Sequence, residues 1–443
     1  SWTSIAANLP ENGPLLAFVE DPVNPKLLFA GTEFGLWFSI DGGGKWIQLK
    51  GSFPTIAVHD LVIQAREGDL VVGTFGRGIY ILDDLRPLRV LKPETLDGQV
   101  VLYPVKKALL YVQAQPLGGG GKASQGSSFY TAENPPFGAM FTYYLKEKLK
   151  TLKEKRHDAE KEAVKKNATA PYPTNDQLRA ETQETAPAMF LTVSDASGRA
   201  VRRINASNEQ GMNRVAWDLQ YPAPELPKEK EKSEQEEDWS PAPVGPLVMP
   251  GEYQVTLETR INGVFTQVAG PEKFTVEPLG MRSMSAPDRA ALTAFQQKVD
   301  NLFRAVAGAL NTADELKARL SKIQTALQQT PLADRGLTQT AEQLQQQNLE
   351  ILRRVRGDTA LRDRNENTPP SIDDRVQTIM QNERMSSSPP PKTDQEAYTI
   401  ASEEFTEELG KLRTMLEQDL PRLEKAMEQA GAPWTPGRLP EWK

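Results

Sequence analysis

The chain holds two histidines, His59 and His157, and no cysteine. A serine–histidine triad could draw on only one of the two, and a two-His metal site would need both. Thiolate nucleophiles, disulfides and cysteine-ligated zinc or iron–sulfur sites are excluded together. The run Gly118-Gly119-Gly120-Gly121-Lys122-Ala123-Ser124 has the composition of a phosphate-binding loop. However, Pro116 stands where Gly-x-x-x-x-Gly-Lys requires glycine, and Ala123 where a hydroxyl would ligate magnesium, so it reads as a flexible loop. Acidic residues number 59, yet no pair has a spacing or context that selects it as acid and base. Arg77, between two glycines, is a candidate anion-binding group; the alternative is a strand-end arginine salt-bridged within its own sheet. Phe75 stands beside it as a second candidate ligand contact. No catalytic residue, metal or cofactor is assigned.

With 443 residues, the chain has room for two to four globular domains, each able to bury a core. The balance of 52 basic against 59 acidic residues leaves a net charge of −7, which repels a phosphate backbone, so no nucleic-acid partner is expected. No stretch approaches the roughly 20 consecutive apolar residues of a bilayer-spanning helix, so no transmembrane segment is expected.

An internal repeat announces the elements that would position Arg77 and Phe75. Phe29-Ala30-Gly31-Thr32 realigns on Val71-Val72-Gly73-Thr74 at an offset of 42 residues, a propeller-blade period. Between the copies lies Ser39-Ile40-Asp41-Gly42-Gly43-Gly44-Lys45-Trp46, which fits the Ser-x-Asp-x-Gly-x-x-Trp Asp-box of bacterial neuraminidase repeats. Asp41 is expected to accept turn amide hydrogens, the glycines to allow positive φ, and Trp46 to pack the turn on its sheet. Ser39, Asp41, Gly43 and Trp46 are therefore read as structural rather than catalytic. Trp2-Thr3-Ser4-Ile5 parallels Trp46-Ile47-Gln48-Leu49, which puts Ser1 inside a preceding box. The chain thus reads as beginning mid-blade, the other blades lying upstream on the same or a separate chain.

Asp60-Leu61-Val62-Ile63, followed by residues 68–84, resembles the last blade of large secreted bacterial proteins with sortilin-like, BNR (Asp-box) repeats, often labelled glycosyl hydrolases. The closing segment from Gly431 to Lys443 is similar to the terminus of the same proteins. The resemblance implies a secreted, periplasmic or cell-surface bacterial protein. Family members carry His at the position of Phe75, so any chemistry of that His is lost here. For Arg77 it implies a place at the propeller mouth, where arginines bind the substrate carboxylate in sialidases. Such a site also needs an arginine cluster, a tyrosine paired with a carboxylate and an acid/base aspartate from several blades, which two blades cannot show.

Residues 96–280 alternate apolar and polar positions between turn signals, which predicts an antiparallel β-sandwich. Its strands are expected at 140–145, at 188–193 as the partner of the first, at 200–204 as a hairpin through Asp195-Ala196-Ser197-Gly198, and at 211–219, 249–257, 264–268 and 273–276. The order Gly211-x-Asn213-x-Val215-x-Trp217-Asp218, then Pro250-Gly251-x-Tyr253-x-Val255, resembles Ig-like domains of flagellar hook-capping proteins and of secreted bacterial proteins. Trp217 and Tyr253 are read as core aromatics. Flexible inserts are expected at 146–187, with a solvated Lys/Glu helix over 146–166, and at 225–246, a mobile charged loop.

Residues 281–443 predict a helical bundle. From Leu292 to Leu327 the apolar residues follow 3–4 spacing, as one long helix or as two broken near Gly308 and Asn311. Shorter helices are expected over 341–353 and 372–380. A final helix would be capped by Thr393-x-x-Glu396 and kinked or divided at Pro421. Trp434 and Trp442 would pin the tail.

The expected fold class is multidomain β plus α: the last blades of a β-propeller over 1–95, an Ig-like β-sandwich over 96–280, and a helical bundle with a Trp/Pro-rich tail over 281–443. The expected role is non-catalytic, completing the propeller and mediating protein–protein or glycan binding and assembly. Its partners would be the upstream propeller portion, another copy of the chain, or a peptide or glycan. The alternatives are part of a sialidase-like glycoside hydrolase whose site lies on upstream blades, and a cell-envelope scaffold subunit.

Overall fold

The computed structural model describes residues 3–51, 53–92, 94, 97–111, 113, 132, 134–169, 172–224, 245–279, 284–384, 386 and 388–440. The Gly118–Lys122 loop, Ser1, Trp2, Trp442 and most of the 225–246 insert lie outside the described residues. The architecture is mixed β plus α, in two compact units: residues 1–219 with 250–280, and residues 220–249 with 281–443.

The first unit begins with two antiparallel meanders. The first is β1 (Leu15–Glu20), β2 (Leu28–Thr32), β3 (Gly35–Ser39) and β4 (Ile47–Gln48), paired in that order. The second is β5 (Val58–Gln64), β6 (Asp69–Thr74) and β7 (Ile79–Leu82). Every residue of β2 is buried, because its sheet is covered on both faces. One face contributes Phe29 and Leu36 to a cluster shared with Leu61, Leu70 and Val72 of the second sheet. The other carries Leu28 and Ala30 against Trp46 and Leu9. The approach of the two sheets is close: a Cβ on Gly31 would fall 2.6 Å from Val58 Cγ1. The repeat also extends to the turns, where Thr32 Oγ1 donates to the Gly35 carbonyl at 3.1 Å and Thr74 Oγ1 to the Gly78 carbonyl at 2.7 Å. After β7 comes a short helix, α1 (Arg86–Val90), locked by the Arg89 guanidinium donating to both oxygens of the fully buried Asp21.

The rest of this unit has two facing sheets. One is β8 (Val100–Leu102), β10 (Ala139–Leu145) and β13 (Gly211–Trp217), with β10 in the middle. The other runs in the order β12 (Ala200–Ala206), β11 (Ala188–Asp195), β14 (Gly251–Ile261), β15 (Val264–Pro278) and β9 (Ala108–Leu110). Between them Trp217 lies edge-on to Tyr253, with ring centroids 5.5 Å apart, and Phe141 edge-on to Phe274 at 5.6 Å. The 188–206 hairpin forms as the pattern predicts. The pairing of β10 with β11 does not: β10 bonds β13 and β8, and β11 takes β12 and β14. Alternation shows that a strand buries one face, not which edge its amides meet. The two strands expected at 264–268 and 273–276 are one, β15, which keeps its pairing with β14 through register shifts opposite Val255 to Glu258. Within 146–187 stand two helices, α2 (Leu152–Lys165) and α3 (Asn175–Gln183). Each is closed by a capping box, at Thr151 and Thr174, and Arg156 of α2 pairs with Glu181 of α3 at 2.6 Å.

The second unit is helical: α4 (Ala286–Gln328), α5 (Arg335–Arg356), α6 (Thr359–Arg362), α7 (Ile372–Arg384), α8 (Lys392–Thr414) and α9 (Leu420–Gln429). α4 runs unbroken for 43 residues. Gly308 and Asn311 do not interrupt it, because burial of the stripe from Val299 to Leu327 outweighs their poor helix propensity. Thr393 is not the cap of α8; the helix starts at Lys392 with Pro391 as N-cap and no side-chain cap bond. Pro421 does not divide the last run. A π-helical turn, Met415–Asp419, precedes it, so its missing N–H falls in the first turn of α9.

Candidate interaction surface

The residues read as an Asp-box are engaged within their own turn and with the segment around Ile5 and Asn8. Ser39 Oγ donates to Asp41 Oδ1 at 2.7 Å and accepts from the Gly43 amide at 2.9 Å, while the Lys45 amide donates to Asp41 Oδ1 at 3.0 Å. The Ser39 hydroxyl and the Lys45 amide hold the Asp41 carboxyl below the usual carboxylate range. Gly43 has φ +92°, and a Cβ there would lie 2.7 Å from Ile5 Cβ, so both conformation and space demand glycine. Trp46 is buried, and its Nε1 donates to the Ile5 carbonyl at 2.8 Å. Asn8, which the sequence pattern did not single out, brackets the Trp46 backbone: its Oδ1 accepts from the Trp46 amide at 2.8 Å and its Nδ2 donates to the Trp46 carbonyl at 2.9 Å.

The β6–β7 turn carries Phe75 and Arg77 together. Phe75 is 71% exposed, its ring 5.6 Å from that of His59, and its amide donates to the Ala57 carbonyl at 2.9 Å. The Arg77 guanidinium forms no hydrogen bond or ion pair among the described residues, so the salt-bridged reading of Arg77 is corrected. His157 is exposed on α2 and is not part of this turn.

Among the described residues, the sheet beneath that turn has one covered face and one bare face. Leu61, Val72 and Tyr80 align across the three strands on the covered side, as do Ile63, Leu70 and Leu82. On the other side Asp60, Gly73 and Ile79 form one row and Val62, Val71 and Ile81 the next. Ile79 is 73% exposed, Ile81 59% and Val62 53%. β7 is also an edge strand. In the first meander β4 fills the equivalent place, with Ile47 opposite Phe38 and Gln48 opposite Trp37. At the same offset after β7 the chain is held in α1 by the Arg89–Asp21 pair. The signal for the bare face was present in the unbroken apolar run Ile79-Tyr80-Ile81-Leu82, which marks a strand apolar on both sides.

Among the described residues, no cluster of three His, Cys, Asp or Glu side chains is placed to hold a metal ion. Among the same residues, no helix is long and apolar enough to cross a membrane.

No known protein family matches the chain, and no curated protein does. Among solved structures, two extracellular domains from B. thetaiotaomicron, described as belonging to hybrid two component systems, align at 11% and 10% identity with TM-scores of 0.14 and 0.16. The alignments cover 61% and 62% of this chain and 26% and 27% of those chains, so it spans about a quarter of their length. Likeness at that level carries no argument about fold or activity.

Proposed function

We propose that this chain is a non-catalytic, C-terminal part of an extracellular bacterial β-propeller protein, in which β1–β4 and β5–β7 are the last blades. The two facing sheets are an Ig-like domain within 96–280, and 281–443 is a helical bundle that serves assembly. The role is to complete the propeller and to bind a protein or glycan. The bare apolar face and open edge of β5–β7 carry this reading. Soluble monomers rarely leave an apolar row such as Val62, Val71 and Ile81, with Ile79 beside it, uncovered, and an unpaired edge there is a template for another strand. The occupant that fits is a further sheet of the same kind, since the first meander already covers the opposite face of β5–β7 in that manner.

The test is size-exclusion light scattering of the chain with hydrophobic-dye binding and hydrogen exchange. Self-association or dye binding is expected, with fast exchange of the outward amides of β7. Ile79→Lys together with Ile81→Lys should abolish both and leave the melting temperature nearly unchanged, because neither side chain is in the core. A monodisperse monomer that binds no dye and protects those amides would overturn the reading.

A further inference from the structure

The two meanders correspond residue for residue in their registers. Gly31 lies between Ala17 and Leu36, and Gly73 between Asp60 and Ile79; Phe29 lies between Val19 and Phe38, and Val71 between Val62 and Ile81. The second sheet covers these rows on the first, with Val58 seated on Gly31: a Cβ there would fall 2.8 Å from the Val58 carbonyl oxygen. Gly73 has no such cover. Its φ lies outside the left-handed region, and a Cβ on it would meet only Asp60 of its own sheet, at 3.4 Å and beyond. Glycine inside a strand weakens it and marks the close approach of another backbone. Gly31 receives that approach, and Gly73 awaits it. Asp60, the one charge in the bare rows, stands on the edge strand β5.

The opposite side of β1–β4 is open in the complementary way. Val58 pairs with Thr74 and Leu61 with Val72, and both are buried against the first sheet. At the corresponding places Leu15 pairs with Thr32 and Phe18 with Ala30, and they are 52% and 45% exposed. Leu9 joins Trp37 on that side, as Phe53 joins Tyr80 on the second sheet with ring centroids 5.0 Å apart. Thr3 and Ser4, six and five residues before Leu9 as Ile47 and Gln48 are before Phe53, lie exposed and outside any strand.

Resting on the reading that the bare face of β5–β7 seats a further sheet, we propose that this sheet is β1–β4 of a second copy of the chain, packed head to tail. Leu15 of one copy sits on Gly73 of the other as Val58 sits on Gly31, with Phe18 beside it. Thr3 and Ser4 add to the free edge of β7 opposite Ile81 and Tyr80, as Ile47 and Gln48 pair with Phe38 and Trp37. A second copy is singled out because the new interface continues the one that already joins the two meanders, bringing corresponding rows together. Such a contact is heterologous: each added copy leaves one face of each kind free, so assembly runs past a dimer.

Sedimentation velocity of the whole chain over a range of concentrations tests this. The wild-type chain is expected to grow past a dimer. Gly73→Ala, whose added Cβ makes only ordinary contacts in its own sheet, should weaken association about tenfold with no loss of melting temperature. Leu15→Lys with Phe18→Lys blocks one face, and Ile79→Lys with Ile81→Lys blocks the other. Each double variant alone should be monomeric, and the two mixed should form a one-to-one dimer and nothing larger. Association that survives Leu15→Lys with Phe18→Lys, or double variants that do not complement each other, would overturn the proposal and leave the bare face a docking surface of another kind. A wild-type monomer that binds hydrophobic dye would overturn it too, and would give the face to a sheet of a different chain. A wild-type monomer that binds no dye would remove the reading on which the proposal rests.

Discussion

Glu383 lies on α7 with both carboxylate oxygens buried and without a donor. Asp394 faces it from α8, itself accepting from Asn382 Nδ2 at 3.3 Å; from α4 come Gln296, whose Nε2 donates to the Glu383 carbonyl at 2.7 Å, and Asp300, which lines the same small cavity with Arg384. Two carboxyls side by side can bond only when one holds a proton, so burial and the Asp394 carboxyl push Glu383 up to about 7. Burial raises Asp300 to about 6 against the pull of Arg304 and Arg384. Both folded values exceed the unfolded ones, so the folded chain binds more protons than the unfolded chain between those limits, and stability falls as pH rises across that window. The lowered carboxyls Asp41 and Glu67 act in the opposite sense, and below it. The melting transition of the helical unit should therefore drop on going from about pH 5 to about pH 7.5. Glu383→Gln should flatten that dependence; calorimetry showing the same slope in the variant would assign it to other groups.

Among the elements, α1 depends on one ion pair. Arg89 presents its guanidinium to a fully buried Asp21, and Asn24 Nδ2 donates to the Arg89 carbonyl at 2.7 Å, so the chain after β7 is drawn back to the end of β1. Breaking a buried pair by removing one partner strands the other charge, at about 3–5 kcal/mol. Arg89→Ala should cost on that order by urea denaturation, whereas Arg66→Ala, which loses the exposed pair with Glu67, should stay within about 0.5 kcal/mol. Element identity was largely legible from local pattern: the 42-residue repeat reappears in matching Thr32 and Thr74 turn bonds, and the 3–4 stripe from Val299 to Leu327 is one helix. Partner choice was not, since β10 and β11 have the same alternation and yet sit in different sheets.

Across the whole molecule, the chain leaves its first unit after Leu219, returns at Pro250 and leaves again after Gly280. The excursion contributes to the second unit: Gly245 and Pro246 line the cavity that holds Asp300 and Glu383, the Tyr221 amide donates to the Pro246 carbonyl at 2.9 Å, and Thr293 Oγ1 donates to Met249 Sδ at 3.2 Å. Residues 281–443 expressed alone should therefore melt below the helical transition of the full chain and lose part of its pH dependence, because Glu383 would gain water. Equal melting and equal slope would show the excursion to be dispensable. Spacing of neighbouring residues was enough to read the turn between Ser39 and Trp46, the Trp217 and Tyr253 core positions, the helices and the turn bearing Phe75 and Arg77, because each rests on contacts a few residues apart or on a period of 2 or 3.6. Only the tertiary structure decided that one face of β5–β7 stays bare, that Gly73 lies open where Gly31 is covered, and that Glu383 meets Asp394 out of water, because burial and charge pairing depend on which distant segments pack together.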